Sequence, residues 1–145
     1  MIAECAADLL AKVRTVPALA GSASLSIGGK SSDPGLVKIP LPAAWVTLKT
    51  EISDEQSYEH GPSSGHVGPA LMMATFCVTV FIPYLDDDDL LTVQFPLLQD
   101  IILAVHSTGT PAGALQWRYT GQRIALVYPD RLAYEQRYTV SLIHQ

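Results

Sequence analysis

The sequence predicts an α+β domain, a mixed or antiparallel sheet of about four strands packed against two helices. Three observations lead there. Two stretches repeat their apolar residues at the three-to-four spacing of a helix face. Four others alternate, or nearly so, as half-buried strands do. Their order is helix, strand, strand, helix, strand, strand, which reads as two hairpins and two helices in layers. A chain of 145 residues fits one domain on the usual span of about 100–200.

The first helix is carried by Ile2, Ala6, Leu9, Val13 and Val16. Glu4 and Asp8 precede Lys12 and Arg14, an order that complements the helix dipole. Pro17 and Gly21 end it near Val16. A Gly/Ser/Pro-rich stretch follows, in which Ser24 to Ile27 alternates as a short edge strand. Gly28-Gly29 and Asp33-Pro34-Gly35 are turn signals. From Pro42, Ala44, Val46 and Leu48 alternate with Trp45, Thr47 and Lys49, which predicts a half-buried strand.

Glu51 to Gly68 is polar and rich in Gly and Ser, and it reads as a long connecting loop. Leu71 to Tyr84 is a long strand with Phe76, Val78, Val80 and Ile82 on one face. The other face, Thr75, Cys77, Thr79 and Phe81, is only partly polar, so both faces are expected to be partly covered. Asp86 to Asp89 lead into the second helix, carried by Leu90, Val93, Leu97, Ile101, Ala104 and Val105. Pro96 fits only a first turn or a bend, which places the main helix at about Phe95 to Ser107. Trp117 to Thr120 is a third strand, with a turn expected at Gly121, and Arg123 to Val127 either continues it or pairs with it. In the last segment Leu132, Tyr134, Tyr138, Val140 and Leu142 alternate with Ala133, Glu135, Arg137, Thr139 and Ser141.

Composition narrows the function. Hydrophobic residues make up 48% and charged residues 16%, against roughly 25% charged in ordinary soluble domains. Much of the surface is therefore neutral or apolar, as partner interfaces are. The net charge of −5 and the scattered Lys and Arg provide no basic field for gripping phosphates. Cys5 and Cys77 sit in apolar patterns, so buried free thiols are expected, as in a reducing cytosol. Met1-Ile2-Ala3-Glu4 has no basic start before an apolar run, which argues against a signal peptide. The longest apolar runs fall short of the ~18 residues of a membrane span.

No catalytic constellation stands out. Gly28-Gly29-Lys30-Ser31 lacks the earlier glycine and the following helix of a phosphate loop. His60 and His66 flank a Gly/Ser loop without further zinc ligands nearby. His106 suits the second helix's C-terminus. The four adjacent acids from Asp86 do not alternate as calcium ligands do, and they suit a helix N-terminus. Neither cysteine has a polar setting that would activate it. The expectation is a protein with no metal, no cofactor and no enzymatic activity.

The order of elements, together with Leu41-Pro42-Ala43-Ala44-Trp45-Val46, Trp117-Arg118-Tyr119-Thr120-Gly121, Pro129-Asp130-Arg131-Leu132 and Tyr134 to Val140, resembles the tail terminators and related tail-completion proteins of long-tailed phages, including the Mu-like group. That resemblance implies a homohexameric ring capping the tail tube at the neck of the virion, assembled in the host cytoplasm. Its partners would be copies of itself, the tail tube protein and the head–tail connector or stopper, with DNA passing through and no membrane. On this reading Ser57, Tyr58, His60, His66, Tyr134 and Arg137 are candidate subunit or tube contacts. Asp86, Asp87, Asp88 and Asp89 are candidate channel-facing acids. A head–tail stopper, another neck component and a small-ligand-binding domain are the alternatives.

Overall fold

A computed structural model describes residues 2–25, 41–54, 70–83, 86–110, 114, 116–127 and 129–144. The sheet has five strands: β1 (Ala23–Leu25), β2 (Ala43–Asp54), β3 (Ala70–Pro83), β4 (Arg118–Val127) and β5 (Arg131–His144). Their spatial order is β1-β2-β3-β5-β4. Both expected hairpins are present as antiparallel pairs, β2 with β3 and β4 with β5. A third antiparallel ladder joins β3 to β5 from Ala70–His144 to Pro83–Arg131. The fifth strand is β1, which pairs parallel to β2 and makes the sheet mixed.

Two helices pack on one face of the sheet. α1 (Ile2–Arg14) buries Cys5, Leu9, Leu10 and Val13, and a 3-10 turn at Pro17–Leu19 then tucks in Leu19. α2 (Phe95–Val105) buries Leu97, Leu98, Ile101 and Val105. Between them and the sheet lie Val46, Phe76, Val78, Val80, Ile82, Tyr138 and Val140, each at most 1% exposed. The two-residue period put these side chains on one face of β3 and β5, and the ladder register keeps them opposite one another, Phe76 facing Tyr138 and Val80 facing Tyr134.

The opposite face carries no helix among the described residues. Its apolar content is a small cluster of Ala43, Phe81 and Ala133, flanked by Leu41, Trp45 and Ala125. Trp45 meets Phe81 edge-on at 4.8 Å, a geometry that aligns ring edge with ring face. Cys77 is buried there and Cys5 in the main core, both as free thiols. Burial pushes the Cys5 thiol up, so it is inert toward nucleophilic chemistry.

Five expectations change. The sheet has five strands where about four were expected, because the short edge strand read from Ser24 is present as Ala23–Leu25 and pairs parallel to β2. β2 runs to Asp54, with a register shift between Leu48 and Ile52, so residues 51–54 belong to the ladder and not to the loop. The segment after the acids is helical from Asp87, passes through a π-helical turn at Leu90–Gln94, and becomes α2 with Pro96 in its first turn. α2 also ends at Val105, where His106 takes an extended backbone as its cap. Gly121 is no turn: it lies inside β4 with φ of 147° at a register shift, a bulge that only glycine adopts without strain. An added Cβ there would meet nothing within 4 Å, so Gly121→Ala tests backbone strain alone. It is expected to cost about 1–2 kcal/mol, read as a lower urea midpoint with an unchanged slope.

Candidate assembly surface

Among the described residues no group of three His, Cys, Asp or Glu side chains is placed to hold a metal ion. No described helix is long and apolar enough to cross a membrane. His106 closes α2, where its Nδ1 accepts a hydrogen bond from the Tyr119 N–H at 3.0 Å. It thereby ties the helix end to β4.

The acidic run begins as a helix cap. Asp86 is extended, and its carboxylate accepts the Asp89 N–H at 2.9 Å, satisfying one of the orphan donors of the first turn. Asp86, Asp87 and Asp88 are exposed, and their charges suit the positive end of the helical segment. Of the other candidate residues, Ser57, Tyr58, His60 and His66 lie outside the described residues. Tyr134 is a core residue, 7% exposed, with its ring edge-on to Phe95 at 6.5 Å between centroids. That burial, which also raises its phenol pKa, leaves it little area to offer a neighbour. Arg137 stands on the helix-free face, 3.4 Å from Glu135, and Arg123 approaches the same carboxylate at 3.4 Å. Here the structure assembles a three-residue charge cluster across β4 and β5 that the sequence did not suggest.

The larger omission is apolar. Leu91, Val93 and Leu103 are exposed at 64%, 60% and 69%, and Ile124 and Val127 on β4 at 55% and 69%. The periodicity had assigned Val93 to the core face. The π turn, by adding a residue to the helical circuit, carries Val93 outward and seats Gln94 inward at 2% exposure. The signal was present in the sequence, since Leu91, Phe95 and Leu103 form a second row at four-residue steps, but the core row beside it masked it. Exposed apolar side chains on the second helical segment and on β4 are of the kind that marks contact between proteins.

No family model matches the chain, and no curated protein matches it. Among solved structures it is similar to a chain from the virion of a native gene transfer agent particle, with a TM-score of 0.58 and 12% identity. The alignment covers 96% of this chain and 92% of that one. At such identity the likeness is one of fold. Among the described residues the protein is thus a five-stranded α+β domain, an architecture that a chain of a virion shares over most of its length.

Proposed function

We propose that this protein is a structural subunit of a phage-like virion, without catalytic activity, that forms a ring on the end of the tail tube. The ring stops polymerisation of the tube and presents the surface to which the head connector joins. Its place is the neck end of the tail. The observation that carries the reading is the match of the whole fold to a chain of a gene transfer agent virion. The exposed apolar side chains on the second helical segment and β4 agree with it, since assembly needs area and complementarity. The acidic segment from Asp86 to Asp89 suits a wall that passing DNA must not adhere to, and the net charge of −5 points the same way.

Particles assembled without this protein separate the possibilities. Electron micrographs are expected to show tails of uncontrolled, excessive length. Tails of normal length that fail to join heads would assign the chain to the stopper position. Unchanged, fully joined particles would sink the virion reading.

A further inference from the structure

The exposed apolar side chains fall into two groups with opposite charge around them. The first is a ridge on the second helical segment. Leu91, Phe95 and Leu103, with Gln99 between them, are exposed at steps of four residues, which stack along one flank of a helix. The buried residues Leu97, Leu98, Ile101 and Val105 hold the opposite side against the sheet, so the ridge looks outward. Asp86, Asp87 and Asp88 are exposed at its start. Residues 86–105 carry Asp86, Asp87, Asp88, Asp89 and Asp100 and no base.

The second group is the rim of β4. β4 is an edge strand, paired only with β5 among the described residues. Ile124 and Val127 are more than half exposed on it, on the side that faces the helices, opposite Tyr134 and Leu132. The only charges in residues 116–127 are Arg118 and Arg123, both exposed. They stand on the other side of the strand, opposite Thr139 and Glu135. A long open edge of this kind is a site that proteins either protect or use.

We infer that these two surfaces bind one another between copies of the chain: the Leu91–Phe95–Leu103 ridge of one subunit lies along the β4 rim of the next, its acids against Arg118 and Arg123. Both groups are apolar and their charges are opposite in sign, and such complementarity fixes register and partner. Their lengths also agree. Asp87 to Leu103 spans about 24 Å at 1.5 Å per residue, and Arg118 to Val127 about 30 Å at 3.3 Å per residue. With Asp87 and Asp88 set at Arg118, Leu103 reaches the neighbourhood of Val127. One surface looks away from the sheet and the other along its plane, so each added copy is rotated relative to the last. Head-to-tail contacts of that kind close into rings when the rotation permits. The contact deepens the ring reading above and rests on it.

Sedimentation velocity over a concentration series tests it with the full chain. Asp87→Lys with Asp88→Lys, and separately Arg118→Glu with Arg123→Glu, are each expected to weaken self-association at least tenfold. An equimolar mixture of the two variants is expected to recover most of the loss, since reversed acids then face reversed bases. Leu103→Ser, which alters no charge, is expected to weaken association as well. All of these positions are exposed, and thermal melts confirm folding of each variant. Variants that associate like the wild type, or a mixture no stronger than its parts, overturn the contact. A wild type that stays monomeric throughout overturns it too. Assembly that depends on these residues, in particles whose tails keep normal length without the protein, supports the contact while removing the terminator role.

Discussion

Replacing Trp117 with alanine is expected to destabilise the subunit by about 3–5 kcal/mol, the cost usual for deleting a large buried ring. Against a total stability of about 5–15 kcal/mol for a domain, that is a large share. Trp117 is 0% exposed although it lies just before β4. Its ring meets Phe76 of β3 edge-on at 5.4 Å, and its Nε1–H donates to the Asp8 carboxylate of α1 at 2.8 Å. Lys12 holds the same carboxylate oxygen at 2.6 Å. The Trp117 backbone carbonyl accepts the Ser107 N–H beyond α2 at 2.8 Å. One residue therefore joins both helices to the sheet. Trp117→Phe keeps an aromatic ring in the core and removes the bond to Asp8, at about 1.5–3 kcal/mol for a hydrogen bond to a charged group, together with the smaller cost of the lost part of the indole. Urea unfolding at neutral pH measures both. An alanine variant within about 1 kcal/mol of wild type would mean that the ring is not the junction described.

The parts of the fold legible in the sequence were those set by local period. β5 alternates over its whole length because one face meets the helices and the other does not, so Leu132, Tyr134, Tyr138, Val140 and Leu142 could be read as buried, and all are. α1 was legible for the same reason, and Asp86 marked the start of the second helical segment. What escaped depended on residues distant in the chain. The alternation from Ser24 marked β1 as a short edge strand, but its parallel pairing with Ala44, Trp45 and Val46 was not readable locally. Gly121 reads as a turn or as a bulge with equal ease, and the choice is made by the ladder to Arg137 on β5. The assembly surface was illegible because exposure is not a property of the residue. Leu91 and Leu97 look alike in sequence, and only the π turn decides which of the rows around them faces the sheet. Gln136 shows the converse. It stands on the core face of β5 with 0% exposure, a position that alternation alone would fill with an apolar side chain.

Gln136 is tolerated there because every group it presents is answered, and this makes stability sensitive to alkaline pH. Its Nε2 donates to the Leu98 carbonyl of α2 at 3.0 Å and to Gln122 Oε1 at 3.1 Å. Its Oε1 accepts the Tyr138 hydroxyl at 2.8 Å. That bond requires a neutral phenol, and burial, with the nearby Tyr119 adding to it, pushes the Tyr138 pKa far above its ordinary 10.0. In the unfolded chain the same phenol ionises near pH 10. Below that pH both states keep the proton, and the contribution of the phenol is fully present. Above it the unfolded chain releases a proton that the folded one retains, so unfolding is favoured by about 1.4 kcal/mol for each further pH unit. Urea unfolding at pH 8, 10, 11 and 12 is expected to show a loss of roughly 3 kcal/mol from Tyr138 alone by pH 12. Tyr138→Phe reverses the sign of this comparison. At pH 8 it costs about 1–2 kcal/mol, because the buried Gln136 Oε1 loses its donor, yet the variant has no phenol to ionise at that site. The stability curves of variant and wild type are therefore expected to cross between about pH 10.5 and 11.5, with a shallower slope persisting in the variant from Tyr134, whose phenol is also raised by burial. Curves that run parallel from pH 8 to pH 12 would show that Tyr138 ionises as freely in the folded subunit as in the unfolded chain, and the buried chain from α2 through Gln136 to Tyr138 would then not be closed to water.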